Sequence, residues 1–250
     1  IQKKLTADSP PSSPSAFPLL AVPPSSRLAV TLNSPPVPPG DARSLWSSAH
    51  RSPHFLLSPC GQEVTRSPAE LSSDGVRAEA GVKSGLHVWE VVWSPEHRGS
   101  HAVLGVSRKD CPLQALGYNV LVGGDSLSWG WELKTNQLWH GGRTPLLIPE
   151  RVLLVLDADA GTLGFVVDGS FLGVAFQELP RGAELYPAVS SVRGGASIRL
   201  RYLNGTTRDP PALMALCGLS IQQFLGQQRQ SQTDKLPLPP ILQHYLLISH

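Results

Sequence analysis

The pattern of apolar positions divides the chain into three segments: one without periodicity, one of short strands and one with a helical period. The first, residues 1–43, contains ten prolines and seven serines and few regularly spaced apolar residues. Such a segment buries too little apolar surface to offset the entropy lost on ordering, so we expect it to be disordered. Alternatively, the prolines of residues 35–39 can form a polyproline II helix that binds an SH3-type groove.

Within residues 44–205, short strands alternate with turns. The clearest alternation, at residues 86–93, places Val88 on one face of a strand and three larger side chains on the other: Trp89, Val91 and Trp93. Asp168 and Gly169 form a typical hairpin turn. Many short strands without a helical pattern between them predict a mainly β fold, an antiparallel β-sandwich. The tryptophans are expected in its core rather than in an aromatic cage: Trp89, Trp93, Trp129, Trp131 and Trp139.

From residue 206 onward the apolar period becomes helical. Asp209 is suited to cap a helix, and Pro210 and Pro211 suit its first turn. One apolar stripe then follows at spacings of three and four: Leu213, Leu216, Cys217, Ile221, Phe224 and Leu225. A helix of this length with no domain of its own should bury that stripe on a partner protein. Packing against the chain's own β segment is the alternative.

Composition restricts the functional classes. The 250 residues are 41% apolar, enough for one core and a small appendage, and a net charge of +2 does not favour nucleic acid as a partner. No apolar run approaches the roughly 20 residues that span a bilayer, and residues 1–6 lack a secretory signal. The cysteines have neither disulfide nor zinc spacing, so we expect reduced thiols and a cytoplasmic protein: Cys60, Cys111 and Cys217.

The residues that could take part in catalysis or metal binding are not spaced as in a known catalytic or metal site. Asp157 and Asp159 resemble paired carboxylates or the start of a calcium loop, but Thr162 and Asp168 occupy positions where that loop needs Gly and Glu. A hairpin turn is the favoured interpretation. The eight histidines lack metal-ligand spacing, and Cys217 lies on the apolar stripe, where a partner contact is favoured over a reactive thiol. We expect a non-enzyme with no metal and no cofactor.

The end of the chain resembles a SOCS box. Residues 212–221 (ALMALCGLSI) resemble the elongin-binding box, and residues 236–239 (LPLP) resemble the cullin-5 box that follows it. The resemblance implies that five residues bind elongin C: Ala212, Leu213, Leu216, Cys217 and Ile221. It implies that four bind the cullin: Leu236, Pro237, Leu238 and Pro239.

The middle of the chain resembles a SPRY domain, at residues 85–91 (GLHVWEV), 128–131 (SWGW), 156–165 (LDADAGTLGF) and 185–189 (LYPAV). Together the two regions resemble the SPRY domain-containing SOCS box protein family, with a SPRY β-sandwich at 44–205 and a SOCS box at 206–250.

That resemblance implies a substrate-recognition adaptor of a ubiquitin ligase. The SPRY domain holds a short linear peptide of a target protein, while the SOCS box recruits elongin C with elongin B, then cullin-5 with a RING-box protein. The target is ubiquitinated for proteasomal degradation, and the adaptor supplies positioning rather than chemistry. The alternative is a non-degradative scaffold with a degenerate SOCS box.

The resemblance also implies a peptide-binding site at eleven positions: Arg66, Pro68, Glu70, Ser100, Tyr118, Leu121, Gly123, Gly124, Val192, Arg193 and Gly194. Family members bind an acidic, Asn-rich segment, typically Asp/Glu-Ile-Asn-Asn-Asn, as in inducible nitric oxide synthase, and Arg66 is expected to meet its acidic residue. Three positions depart from the family: Glu70 replaces Ala, Gly124 replaces Ser and Arg193 replaces Trp. Loss of one packed aromatic contact costs about 2 kcal/mol, so we expect weaker binding of this peptide.

Overall fold

The structure is a computed structural model of the 250-residue chain. It describes residues 20–21, 27–34, 37–38, 40–134, 137–139, 148–206, 217, 221, 237–240 and 243.

The described residues form a small helix and a series of short strands. Helix α1 spans Arg27–Leu32, and 3₁₀ turns span Ala42–Ser44 and Pro95–His97. The strands are β1 Leu20–Ala21, β2 Trp46–Arg51, β3 Phe55–Leu57, β4 Glu63–Arg66, β5 Ser72–Ala78, β6 Leu86–Trp93, β7 Val103–Ser107, β8 Gln114–Leu116, β9 Ser128–Glu132, β10 Gln137–Trp139, β11 Arg151–Asp157, β12 Thr162–Val167, β13 Ser170–Phe176, β14 Tyr186–Ser191 and β15 Ser197–Thr206. None of the helices within these described segments is long and apolar enough to span a bilayer.

The strands form two antiparallel sheets. The first sheet has the order β1-β13-β12-β11-β6-β15-β4-β3, and the second has the order β10-β9-β7-β14-β5-β2, with β8 paired to β5. Trp131 of the second sheet packs on Phe165 of the first, with ring centroids 4.7 Å apart, and the Trp46 indole donates a hydrogen bond across to the Ile198 carbonyl at 3.0 Å. The predicted antiparallel β-sandwich is confirmed.

The alternation predicted for β6 follows the two faces of the first sheet. Trp89, Val91 and Trp93 are each at most 1% exposed and lie in the core between the sheets, whereas Val88 lies in a separate apolar cluster on the outer face. Trp131 is buried as predicted, and Trp129 is half-buried against the same core. The side chain of Trp139 lies outside the described residues.

Both predicted hairpin turns are present. Asp168 and Gly169 have φ values of +49° and +74°, as a two-residue turn between β12 and β13 requires. At the turn between β11 and β12, the Asp157 carboxylate accepts a hydrogen bond from the Ala160 N–H at 2.9 Å. The Gly161 N–H donates to the Asp157 carbonyl at 2.8 Å, so this aspartate stabilises the turn itself.

The expectation that residues 1–43 are disordered is wrong for residues 27–34. Helix α1 packs on the outer face of the first sheet, where Leu28 joins an apolar cluster with Leu86, Val88, Val155 and Val166. Arg27 extends the contact, because its guanidinium lies 3.2 Å from Asp157 and 3.5 Å from Asp159. The six-residue helix is stabilised by this packing rather than by its own propensity.

The remaining predictions for the N-terminal segment fall largely outside the described residues. Within the proline-rich residues 35–39, the structure describes Val37 and Pro38, and Val37 packs against the sandwich core. Because Val37 packs against the core, the chain at this residue is part of the folded domain and not a free tail.

Candidate functional site

Loops from both sheets meet at one site on the sandwich. The loop after β14 reaches the end of β4, because the Gly195 N–H donates to the Arg66 carbonyl at 2.8 Å and the Arg66 N–H donates to the Ala196 carbonyl at 2.9 Å. The loop after β8 reaches β5, since the Asn119 N–H donates to the Ser73 hydroxyl at 2.7 Å. Segments distant in sequence are therefore fixed next to one another.

Gly194 and Pro68 are in close contact, as the predicted site requires. A Cβ atom on Gly194 would lie 2.9 Å from the Pro68 Cα, so there is no space for a larger residue without a shift of the backbone. Pro68 is exposed and Val192 is half-buried beside this contact in sequence. The structure thus brings together the predicted positions from the loops after β4 and β14.

Arg193 lies across the loop that carries Ser100. The Gly99 backbone has φ +64°, and a Cβ atom there would lie 2.7 Å from the Arg193 Cβ and 3.1 Å from its Cδ. Arg193 and Ser100 are both exposed, and no described carboxylate lies within 4.0 Å of the Arg193 guanidinium. The departure from Trp therefore places an exposed cation at the predicted ligand surface.

Tyr118 is held on the loop after β8 by Ser73. The Ser73 hydroxyl lies 2.9 Å from the carbonyl oxygens of both Gly117 and Asn119, the residues on either side of Tyr118. Tyr118 itself is 49% exposed. Its ring is thus presented to solvent from a backbone that is fixed at both neighbours.

Leu121 and Gly123 are buried beneath the surface of this loop and pack against the rest of the domain. Leu121 is buried, and a Cβ atom on Gly75 would lie 3.1 Å from its Cδ2. Gly123 is buried with φ +84°, and its N–H donates to the Ser128 hydroxyl at 2.8 Å. Neither residue therefore presents a side chain at the surface of the candidate site.

Gly124 is exposed, but the neighbouring backbone occupies the space that a side chain at this position would need. A Cβ atom there would lie 2.5 Å from the Val120 carbonyl oxygen, which is too close for any side chain. The serine found in the family at this position would require the turn to open. In this structure the loop at Gly124 therefore has no room for a serine side chain.

The Arg66 side chain is buried within the protein and does not lie at the surface of the candidate site. Its side chain is 1% exposed, and its Nε and Nη2 atoms both contact the Asp74 Oδ2, at 2.9 and 2.6 Å. Its guanidinium also donates to the carbonyl oxygens of Ser67 and Ala69 in the loop after β4 and to that of Ser72 at the start of β5. The expectation that Arg66 meets an acidic residue of the ligand is therefore wrong for this structure, where it shapes the loop that carries Pro68 and Glu70.

Asp74 is the residue that sequence reasoning missed. Its side chain is fully buried, and besides Arg66 it accepts hydrogen bonds from Ser52, His54, Ser72 and Gln114. Burial alone raises the pKa of Asp74, but the hydrogen bonds from neighbouring side chains and the charge of Arg66 outweigh it and lower the pKa below its usual value. The sequence offered one signal for this pairing: Asp74 is a lone carboxylate among small residues, eight positions after Arg66.

The predicted SOCS box is described at few positions. Cys217 and Ile221 are helical, with Cys217 exposed and Ile221 half-buried. Pro237 and Leu238 lie in a bend, and Pro239 follows it. The other predicted contacts lie outside the described residues: Ala212, Leu213, Leu216 and Leu236.

Asp157 and Asp159 are used within the fold, since both pair with Arg27. Among the residues that the structure describes, no group of three or more His, Cys, Asp or Glu side chains is arranged to hold a metal ion.

Comparison with known proteins agrees with the two-part organisation. A model of the SPRY domain family matches residues 86–203, and a model of the SOCS box family matches residues 209–247. Both matches lie inside the predicted segments 44–205 and 206–250, whose outer limits stay predictions.

Solved structures show the same fold at low sequence identity. The PSpry domain of TRIM65 has a TM-score of 0.56 and 24% identity, covering 70% of this chain and 94% of that chain. The SPRY domain of human HERC1 has a TM-score of 0.50 and 24% identity, covering 65% of this chain and 99% of that chain. At this identity the likeness supports the SPRY fold alone.

Curated relatives share both parts of the chain. Human SPRY domain-containing SOCS box protein 1 is 40% identical, over 88% of this chain and 86% of its own length. Human SPRY domain-containing SOCS box protein 2 is 38% identical over 96% of each chain, and protein gustavus of Drosophila melanogaster is 37% identical over 88% and 85%. The chain belongs to the SPRY domain-containing SOCS box protein family.

Proposed function

We propose that this chain is the substrate-recognition adaptor of an elongin B/C–cullin-5–RING ubiquitin ligase. The observation that carries the proposal is the order of its parts: a SPRY sandwich with an open, rigid loop site is followed directly by a SOCS box match at residues 209–247. One part is suited to select a protein, and the other to attach that protein to the ligase.

The SPRY site has the properties of a peptide receptor. Its loops are fixed to each other by backbone and hydroxyl hydrogen bonds, so little ordering entropy is lost when a ligand binds. Four exposed side chains of the candidate site offer charge, hydroxyl and aromatic contacts to a ligand: Glu70, Ser100, Tyr118 and Arg193. This combination favours recognition of a short segment over chemical conversion of a small molecule.

The described part of the SOCS box is consistent with a partner-binding helix. Cys217 and Ile221 are four residues apart in helical conformation and therefore share a face. The exposed Cys217 thiol is available to a partner protein on that face. We assign elongin C to this face, and the cullin to residues 236–239.

The adaptor acts by proximity. Binding of the target to the SPRY loops and of elongin C to the SOCS box places target lysines near the transfer machinery, which raises their effective concentration without any catalytic group on this chain. We place this activity in the cytoplasm, in keeping with the free thiols of Cys60 and Cys111, and fluorescence microscopy of the tagged chain tests that location.

Co-expression with elongins B and C tests the proposed function. The full chain should co-purify with both elongins. The Leu213→Ala, Cys217→Ala double variant should lose them, because it truncates two side chains that we expect elongin C to cover in the complex. A Leu56→Ala, Val174→Ala variant removes two exposed apolar side chains of the sandwich and should retain both elongins. Failure of the unmodified chain to bind elongin C would remove the ligase proposal and leave a SPRY scaffold.

A further inference from the structure

Three large exposed side chains lie on neighbouring stretches of backbone at the candidate ligand site. Leu71 is 65% exposed, Leu116 is 91% exposed and Tyr118 is 49% exposed. We call these three residues the leucine rim. Scattered exposed leucines are common on protein surfaces, but these lie on two adjoining segments, next to Glu70.

The backbone of the leucine rim is rigid. The Gly117 N–H donates to the Leu71 carbonyl at 2.6 Å, and Leu116 pairs with Ser72 in the β5–β8 ladder. The Asn119 side-chain amide donates to the Leu116 carbonyl at 2.7 Å. Both leucines are therefore presented to solvent from hydrogen-bonded backbone.

Leu71 is also held in an unfavourable backbone conformation. Its φ of +47° lies in the left-handed region, which a residue with a Cβ rarely adopts. The Arg66 guanidinium donates to the carbonyls of Ala69 and Ser72 on either side of this turn, which keeps the conformation in place. Strain of this kind, maintained by a buried cation, is typical of ligand-binding loops.

Glu70 adds an unmatched negative charge beside the rim. It is exposed and directly precedes Leu71, and among the described residues no lysine, arginine or histidine nitrogen lies within 4.0 Å of its carboxylate. A basic group on a ligand would meet this carboxylate next to an apolar surface. The pattern is complementary to a ligand that carries a cation beside a large apolar side chain.

We propose that the SPRY loops of this chain select linear peptides in which a large apolar residue packs on the leucine rim and a neighbouring basic residue pairs with Glu70. The inference rests on the proposed function, since it names the class of peptide that the same site takes. It commits to a protein segment as the occupant because the rim continues into that site at Tyr118, and because the hydrogen-bonded loops form a fixed edge for an extended chain. The acidic, Asn-rich peptide has an apolar Ile but carries an acidic residue where this pattern needs a basic one.

The test is selection of a phage-displayed library of random 12-residue peptides on the full chain, followed by fluorescence anisotropy of the enriched peptides. We expect enrichment of sequences with Arg or Lys near Leu, Phe or Met. Their affinity should fall at least tenfold for the Leu71→Ser, Leu116→Ser variant and stay unchanged for the matched Leu56→Ser, Val174→Ser variant. Both variants replace two exposed apolar residues, so general loss of surface apolarity is controlled.

A Glu70→Lys variant gives a readout that misfolding cannot imitate. Selection on this variant should enrich an acidic residue in place of the basic one, with the apolar residue retained. Enriched peptides that bind the Leu71→Ser, Leu116→Ser variant as tightly as the unmodified chain would overturn the inference and leave the adaptor proposal intact. Absence of any enriched peptide would overturn the inference, whereas the elongin experiment separately decides the adaptor function.

Discussion

Arg66 and Asp74 form an ion pair that is closed to solvent, with the arginine Nη2 2.6 Å from the aspartate Oδ2 and side chains 1% and 0% exposed. The pair joins the end of β4 to the start of β5 and orders the loop between them, on which Pro68 and Glu70 lie. The candidate ligand site is thus built on a buried charge pair rather than on apolar packing alone.

Removing one partner of this pair should destabilise the domain. The Asp74→Asn variant leaves the buried Arg66 charge without a counter-charge, which costs about 3–5 kcal/mol of unfolding free energy. Urea denaturation measures the change. The control Lys83→Gln removes an exposed pair with Glu184, 3.9 Å apart, and should change the free energy of unfolding by less than about 1 kcal/mol. Equal midpoints for Asp74→Asn and the unmodified chain would show that the pair does not stabilise the fold.

His87 should make stability depend on pH. Burial, the largest influence, lowers the pKa of His87, and its ring lies 2.8 Å from the Tyr202 hydroxyl and 2.8 Å from the Ser84 carbonyl. The unfolded chain therefore takes up a proton first, as the pH falls through about 6.5, while the folded imidazole stays neutral until a lower pH. The contribution of neutral His87 to the free energy of unfolding is therefore complete above about pH 6.5 and declines below it. Urea denaturation midpoints measured between pH 7.5 and pH 5 would show this decline.

The matched control for this pH dependence is another histidine. The His97→Gln variant changes an exposed side chain and should keep the decline, whereas His87→Gln should flatten it. An undiminished decline in His87→Gln would assign the effect to a different group.

Helix α1 should contribute measurably to the stability of the sandwich. Leu28→Ala removes a buried side chain from the cluster with Val88 and Val166, at a cost of about 2–5 kcal/mol. Differential scanning calorimetry of this variant should show a lower Tm, while Val174→Ala, an exposed change, should leave Tm nearly constant. A chain shortened to begin after residue 34 with an unchanged Tm would contradict the packing role of α1.

The departures at Glu70 and Arg193 should weaken binding of the Asp-Ile-Asn-Asn-Asn peptide. The Glu70→Ala, Arg193→Trp variant should bind it at least tenfold more tightly, since one packed aromatic contact contributes about 2 kcal/mol. Gly124→Ser should bring no such gain, because its Cβ would lie 2.5 Å from the Val120 carbonyl oxygen. Isothermal titration calorimetry compares the three proteins, and equal affinity of the unmodified chain and the double variant would refute this explanation.

The sandwich could be predicted because its signals are local. The alternation of side chains in β6 indicates a strand whose two faces pack in different clusters. Asp168 and Gly169 indicate a turn that requires positive φ values. Helix α1 could not be predicted in this way, because six residues in a proline-rich segment depend on packing against strands that lie far along the chain.

The candidate site was predictable in position but not in role. Family resemblance located Arg66, yet its burial follows from the Asp74 carboxylate on β5 of the other sheet, a pairing that needs the fold. The leucine rim depends on the β5–β8 ladder, which places Leu116 opposite Ser72 and was not indicated by any local pattern.

The most direct test of the adaptor account is the assembly of the full chain with elongin B, elongin C and cullin-5, followed by mass photometry. The account predicts one complex containing a single copy of each protein. A Leu236→Ala, Pro237→Ala variant should keep both elongins and lose cullin-5, because the two boxes bind different partners. Elongin binding by the unmodified chain without recruitment of cullin-5, or no elongin binding at all, would contradict the account.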